Sequence, residues 1–238
     1  GVIGVDLGGR RIIKKSREAQ SGDQKSANAS LARAVELSLW LTLPAAAAAM
    51  AIPGTLVTAL FERGAFTPAD GVATAAALMA YAAGLPAFVL TKTLAPAFFA
   101  RADTKTPARA AGASVVLNIV LGLSLMWSLG HVGLALATTL AAWMQVTWLG
   151  ASLIRRGWWT LEAASALRTA KLIVAAGAMA AALIYGSGPV LQFAAGDMGR
   201  LSATLGLCII AGLLYLILAH MLGAARLDAA LKEFRGRS

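Results

Sequence analysis

The sequence predicts an all-α fold: a polytopic membrane helix bundle with six complete transmembrane helices and a partial helix at the N-terminus. Apolar residues make up 58% of the 238 residues and charged residues only 13%, whereas soluble domains carry about 25% charge. The apolar residues form six long stretches, and each approaches or exceeds the roughly 20 residues that a helix needs to cross a bilayer core. These stretches are 34–61, 73–100, 107–129, 132–154, 170–187 and 201–222. Such continuous runs argue against a β-barrel, whose strands are shorter and alternate in polarity.

The basic residues lie almost entirely on alternate connections between these stretches. Those connections are 10–33, 101–109, 155–171 and 226–237, and the three exceptions among the 21 Lys and Arg residues are Arg63, Lys92 and Arg200. Because loops rich in Lys and Arg stay in the cytoplasm, we expect both ends of the chain to be cytoplasmic. The formal charge of +10 is spread over several loops and forms no single basic module, which argues against a nucleic-acid partner.

Four segments of different character follow one another along the chain. We expect residues 1–33 to hold the end of a helix and a cytoplasmic amphipathic linker, and residues 34–155 to hold four membrane helices. An interfacial segment and two further membrane helices are expected in 156–226, and a cytoplasmic tail in 227–238.

Proline predicts bends in the first two spans. Pro44 and Pro53 fall within the first span, and Pro86 and Pro96 within the second. Each proline removes one backbone hydrogen bond and can kink a helix. Transporters place such discontinuities near their binding sites, but an ordinary kink would leave the same pattern.

Two connections are short enough to predict their local structure. In the basic loop after the second span, Asp103 or Thr104 is expected to cap the following helix, with Pro107 in its first turn. The connection at 128–133 is very short, so the third and fourth spans should form a tight antiparallel hairpin.

Lys92 is the most informative side chain for function, because ionisable residues inside membrane helices are rare and usually mark a transport pathway. It precedes Arg101 by nine residues, roughly 13 Å of helix, so its stem can also reach the inner interface. Two alternatives stay open: an anion-attracting role in a cavity, and snorkelling to the interface. The neighbouring Thr91 and Thr93 favour a wet environment.

Four other polar residues are candidates for substrate binding or gating. Glu62 and Arg63 end the first span and form either an exposed pair or a gate at the outer mouth. Asn118 and Gln145 are the amides of the third and fourth spans; they either join helices by hydrogen bonds or build an oxygen-rich site with Thr138. Because no acidic residue lies one turn from Asn118, this site would lack the carboxylate oxygens that a hard cation prefers.

The motifs that mark soluble enzymes are missing from the sequence, which has no GxSxG, P-loop, HExxH or CxxC pattern. His131 and His220 are isolated, and neither has a carboxylate at helical spacing. We therefore expect no catalytic residues, no metal site and no cofactor.

Four runs resemble, in the same order, the MurJ/MviN family of lipid II flippases. They are 59–67 (ALFERGAFT), 81–88 (YAAGLPAF), 95–107 (APAFFARADTKTP) and 130–143 (GHVGLALATTLAAW). The resemblance covers residues 16–238, and residues 1–5 are similar to the family's preceding helix.

This resemblance implies a fourteen-helix transporter of the multidrug/oligosaccharidyl-lipid/polysaccharide exporter superfamily. The chain would supply the second lobe from its second helix onward, with the last two spans as an extra C-terminal pair. The family moves lipid II, the undecaprenyl-pyrophosphate-linked peptidoglycan precursor, from the inner to the outer leaflet of the bacterial inner membrane by alternating access. The implied partners are lipid II, membrane lipids and the missing N-terminal lobe.

Two departures from the family pattern keep other interpretations open. Residues 6–17 carry Asp6 and several cations where the family continues an apolar helix. The family's strongly charged cavity residues lie mostly in the first lobe and before Gly1. The alternatives are another polysaccharide or drug exporter of the same superfamily, or an inactive truncated membrane fragment.

Overall fold

The structure is a computed structural model that describes the backbone of residues 6–61, 66–192 and 196–223, and helices make up nearly all of these residues. Side chains are described for 24–61, 66–189, 196 and 198–223. The helices in these ranges are α1 (Asp6–Ala51), α2 (Pro53–Phe61), α3 (Pro68–Ala82), α4 (Leu85–Phe99), α5 (Lys105–Leu129), α6 (His131–Arg155), α7 (Ala163–Gln192) and α8 (Gly196–Met221). The same ranges contain no strand, and the predicted all-α class is confirmed.

Six stretches of helix in the described part of the chain are long and apolar enough to cross a membrane, as predicted. Their bounds are Gln24–Ala51, Pro68–Phe99, Lys105–Leu129, His131–Arg155, Ala163–Pro189 and Met198–Met221. The second of these stretches combines α3 and α4, and the others each lie within one helix.

Helix α1 continues without a break through the predicted linker boundary at residue 33. It has no Gly or Pro between residue 24 and Pro44, so nothing local interrupts its backbone hydrogen bonds. Pro44 lies inside α1, and Pro53 begins α2, where a proline needs no helical donor. At the joint, the Ile52 N–H donates to the Ala48 carbonyl at 3.1 Å. The first predicted span therefore consists of the later part of α1 together with α2.

Only part of the predicted N-terminal segment, and none of the predicted C-terminal tail, falls within the described residues. Residues 1–5 and the predicted tail at 227–238 lie outside the described residues, and residues 6–9 belong to α1.

The second span is broken at one of the two predicted positions, next to Pro86, between α3 and α4. The Gly84 N–H donates to the Tyr81 carbonyl at 2.9 Å, three residues back, and Pro86 has no N–H to donate. Pro96, in contrast, stays inside α4. The change in hydrogen bonding at Gly84 frees carbonyl groups that a continuous helix would have satisfied.

Two side chains of α6 donate to the carbonyls freed at this joint. The Thr139 hydroxyl donates to the Ala80 carbonyl at 2.8 Å, and the Trp143 indole N–H donates to the Ala83 carbonyl at 3.0 Å. Helix α6 comes so close that a Cβ on Gly84 would lie 2.7 Å from the Thr139 hydroxyl. The break thus depends on α6 for its hydrogen bonds and on glycine for its space.

The buried side chains form two clusters. The first joins α1, α4, α5 and α6 around residues such as Phe98 and Leu149. The second joins α7 and α8, with the end of α1 packed against them, around residues such as Met179 and Tyr215. The Tyr215 hydroxyl donates to the Trp40 carbonyl at 2.9 Å, so the second cluster is also hydrogen-bonded to α1.

The basic connections contact each other at one end of the bundle. Arg156 forms an ion pair with Asp103 and donates to the Thr106 hydroxyl at 2.9 Å. The guanidinium groups of Arg101 and Arg156 both lie over the Trp158 ring, 5.1 and 4.8 Å from its centre, where a cation is attracted to the π-face. These contacts hold the α4–α5 connection against the α6–α7 connection.

Asp103 is the predicted capping residue that the structure uses at the start of α5. Its carboxylate accepts hydrogen bonds from the backbone N–H groups of Lys105 and Thr106, each at 3.1 Å. Hydrogen bonds from Thr106 and then from the Arg156 guanidinium hold the pKa of the Asp103 carboxyl well below its usual range. The cap is therefore ionised at neutral pH.

The third and fourth spans form the predicted hairpin, with Gly130 alone between α5 and α6. The two helices approach closely at Gly133, where a Cβ would lie 2.6 Å from the Leu125 carbonyl carbon. A glycine is required here because the obstacle is backbone, which cannot move aside as a side chain can.

Removing the α6 donors should destabilise the α3–α4 joint. We expect Thr139→Val and Trp143→Phe each to lower the free energy of unfolding by about 1 kcal/mol, because each leaves a carbonyl without its donor. Thermal or dodecyl-sulfate unfolding followed by circular dichroism measures the change.

The matched controls are Thr147→Val and Trp148→Phe on the same helix. Thr147 donates only to carbonyls of α6 itself, and the exposed Trp148 makes no hydrogen bond within the described residues. If these controls lose as much stability as the joint variants, the two interhelical hydrogen bonds are not what holds the joint.

Candidate functional site

Helix α4, which carries Lys92, has one packed face and one uncovered face. Leu90, Leu94 and Phe98 are buried in the first cluster. Lys92 and Pro96 are exposed on the other side, at the spacing that places residues on one helical face. The described part of the chain therefore leaves the Lys92 face of α4 open.

Lys92 forms no hydrogen bond or ion pair with the residues that the structure describes. Its neighbours Thr91 and Thr93 do find partners: Thr91 donates to the Ala87 carbonyl at 2.9 Å, and Thr93 to the Val89 carbonyl at 3.0 Å. These threonine hydroxyls are satisfied within the protein, so they do not indicate a wet environment. What distinguishes Lys92 is its own exposure.

Asn118 and Thr138 are brought together between α5 and α6. The Thr138 hydroxyl lies 3.3 Å from the side-chain amide oxygen Oδ1 of Asn118 and 2.9 Å from the backbone carbonyl oxygen of Leu134. One turn away, the Ser114 hydroxyl donates to the Ala141 carbonyl at 3.0 Å. These polar contacts join the two helices of the hairpin, as hydrogen bonds commonly do between membrane helices.

Gln145 is not part of the same polar group. It shares a face of α6 with Thr138 but lies two turns further on, a distance of about 10 Å along the helix. It is partly buried, and no hydrogen bond joins it to Asn118 or Lys92 in the described part of the chain. The two amides singled out in the sequence therefore do not form one site.

Glu62 and Arg63, the candidate outer gate, lie outside the described residues. Their roles stay predictions. The rings of Phe61 and Phe66 on either side of them are 6.4 Å apart.

The structure identifies an ion pair that sequence reasoning missed. Arg168 at the start of α7 lies 3.2 and 3.3 Å from the two carboxylate oxygens of Glu36 on α1. The Arg168 and Glu36 side chains are only 27% and 18% exposed. The signal was present, since Glu36 is an acid inside an apolar span, and such residues usually have a partner. The pair joins the last two helices to α1.

Helix α5 presents an apolar surface away from α6. Its exposed large apolar side chains are Val115, Val116, Ile119, Val120, Leu123, Met126, Trp127 and Leu129. In a membrane protein such a surface contacts lipid or another helix. Lys92 itself is a single cation on the open face of α4.

This arrangement has one clear chemical capacity, which is to attract an anion. The Lys92 ammonium group offers three N–H donors and no acceptor. Within the described residues, no group of three His, Cys, Asp or Glu side chains could hold a metal ion.

Comparison with known proteins identifies the family. The family model described as lipid II flippase MurJ matches residues 2–224. A probable lipid II flippase MurJ of Rhizobium meliloti (strain 1021) is 39% identical over 232 residues, which are 96% of this chain and 43% of the relative. The corresponding protein of Rhizobium tropici is 36% identical, over 94% of this chain and 42% of the relative.

The fold comparison agrees with the sequence comparison. A solved structure of a lipid II flippase MurJ in an inward closed conformation has a TM-score of 0.67 and 27% sequence identity. It covers 84% of this chain, which corresponds to 40% of the solved chain.

The chain spans less than half the length of these relatives. The family model matches residues 2–224. These residues include the six described stretches that are long and apolar enough to cross a membrane. The chain is therefore a multi-pass membrane protein that belongs to the lipid II flippase MurJ family.

Proposed function

We propose that this chain is part of a flippase that moves lipid II from the inner to the outer leaflet of the bacterial inner membrane by alternating access. The observation that carries the proposal is the match over residues 2–224 to a family described as lipid II flippases. The transport itself would be performed by the whole protein, of which the chain covers 43% in the first relative.

The proposed role of Lys92 follows from the charge of the substrate. A pyrophosphate group taken into a membrane protein needs cationic donors, because burying its charge unpaired is very unfavourable. Lys92 is exposed on the open face of α4 and has no counter-ion among the described residues. We assign it to the cavity that the substrate headgroup would cross, in preference to snorkelling at the interface.

The proposed partner within the transporter is an N-terminal lobe, which would face the open side of α4. The two buried clusters support the division of the described helices into a lobe part at 34–155 and an extra pair at 156–226. In this arrangement the extra pair packs on α1.

The proposed orientation places the basic connections in the cytoplasm. Three of these connections meet at one end of the bundle: Gln24 donates to the Gly157 carbonyl at 2.9 Å, and Arg156 pairs with Asp103. Both ends of the chain would then be cytoplasmic.

Reconstitution with the missing lobe tests the proposed function. We expect this chain, co-expressed with the N-terminal part of the Rhizobium meliloti relative, to translocate fluorescent lipid II in proteoliposomes, because the two parts together complete the transporter. The chain alone and the N-terminal part alone are the controls. A correctly assembled complex that moves no lipid II would contradict the proposal and favour an inactive fragment.

Replacement of Lys92 tests the proposed binding role. In the same complex, Lys92→Met should slow translocation about tenfold, the effect of losing one charge-assisted hydrogen bond, whereas Lys92→Arg should keep most of the rate. The matched control is Lys105→Met, which removes an exposed cation from the start of α5. Unchanged transport by Lys92→Met at normal expression would reject the role of Lys92 and leave the flippase proposal standing.

Cysteine labelling tests the proposed orientation. In a Cys208→Ser background, which removes the single native cysteine, a membrane-impermeant maleimide should label Ala69→Cys in intact spheroplasts. Thr104→Cys should react only after permeabilisation, because it lies in a basic connection. Labelling of both variants in intact spheroplasts would rule out the orientation.

A further inference from the structure

A cleft of about 280 Å³ lies between α2 and α8, and neither the family match nor the proposed transport path assigns it a role. It is lined by Thr55, Thr58, Ala59, Arg200 and Thr204. The cleft lies at the end of the bundle away from the basic connections. This follows because the Glu36–Arg168 pair joins α1 and α7 near the basic end, and both helices run from there toward the cleft.

The polar groups of the cleft offer hydrogen-bond donors. Thr42, Thr91 and Thr93 each donate to a carbonyl four residues earlier in their own helix. The hydroxyls of Thr55 and Thr58 make no such bond and have no partner among the described residues. They are therefore free to donate to a ligand.

Arg200 supplies the positive charge of the cleft. Its side chain is exposed and forms no ion pair with any residue that the structure describes. None of the lining residues in the described part of the chain is acidic. A planar guanidinium with five N–H donors, next to two free hydroxyls, suits the oxygens of a phosphate group.

The surroundings favour a lipid over a free anion. The floor of the cleft is buried at Ala59 and Thr204, which are 5% and 3% exposed. On α8, Leu201 and Leu205 directly follow the lining residues Arg200 and Thr204 and form an adjacent apolar row. Leu205 is 53% exposed. Arg200 lies near the start of the membrane-length stretch Met198–Met221, at the depth where headgroups meet acyl chains.

We propose that this cleft binds the phosphate group of a membrane phospholipid, with Arg200, Thr55 and Thr58 as donors and the Leu201–Leu205 row of α8 against an acyl chain. The bound lipid fills the seam between α2 and α8. It thereby connects the end of the first span to the extra helix pair, which is otherwise held by the second buried cluster and by the Glu36–Arg168 pair.

Four compounds test which part of a phospholipid the cleft recognises. With the 238-residue chain in maltoside micelles, native mass spectrometry and thermal unfolding are followed while one of four compounds is added: dioleoylphosphatidylglycerol, dioleoylphosphatidylcholine, dioleoylglycerol or inorganic phosphate. Both phospholipids should bind and raise the unfolding temperature, phosphatidylglycerol more strongly because of its net charge. Dioleoylglycerol lacks the phosphate and inorganic phosphate lacks the acyl chains, so neither compound should bind or raise the unfolding temperature.

Variants then locate the site. Arg200→Gln should weaken phosphatidylglycerol binding about tenfold or more, and Arg200→Lys should weaken it less. Thr58→Val removes one hydroxyl at nearly constant volume and should weaken binding without a change in charge, which keeps the test valid if Arg200→Gln folds poorly. The matched control is Arg109→Gln, an exposed arginine at the basic end, which should bind normally.

Three results would overturn the proposal. Equal binding of dioleoylglycerol would mean that the phosphate is not recognised. Binding of inorganic phosphate as tight as that of the phospholipids would indicate a free-anion site. Equal losses in Arg200→Gln and Arg109→Gln would indicate non-specific charge attraction. Because these experiments measure binding and not transport, their outcome does not depend on the proposed flippase function.

Discussion

The structure depends on one constraint, which is that backbone polar groups inside a membrane must find partners within the protein. Unbroken helices meet it by themselves, but the joint between α3 and α4 does not. There Thr139 and Trp143 of α6 donate to the carbonyls of Ala80 and Ala83. The break in the second span and the position of α6 therefore determine each other, and Gly84 gives the two segments room to approach.

Charge is confined to places where it is paired or can reach water. Arg156 and Asp103 pair in the basic connections, where Arg156 also stacks on Trp158. The pair between Glu36 and Arg168 is less exposed, and both partners lie near the basic end of their helices. Ions are costly in hydrocarbon, so these pairs lie near the end of the bundle and join segments that are distant in sequence. Together with the second buried cluster, the Glu36–Arg168 pair holds α7 and α8 on α1.

Lys92 differs from these paired charges, because it is a cation within a membrane-length stretch with no ion-pair partner among the described residues. Such residues usually have a function. It lies within a membrane-length stretch, on a face of α4 that no described part of the chain covers. The chain spans less than half the length of its relatives, and in the proposed transporter an N-terminal lobe would face the open side of α4.

The sequence by itself determined the helical class, the six membrane-length stretches, a discontinuity at one of two prolines of the second span and a cap at Asp103 or Thr104, because hydropathy, proline and caps act within a few residues of the chain. Only the tertiary structure decided which groups satisfy the broken backbone and that Glu36 pairs with Arg168, 132 residues away. The tertiary structure also places Gln145 away from Asn118. In addition, it brings the Thr93 hydroxyl into hydrogen-bond distance of the Ser38 hydroxyl and the Val89 carbonyl. These outcomes depend on which helix faces meet. That is decided by the packing of side chains far apart in sequence, which leaves no local pattern to recognise.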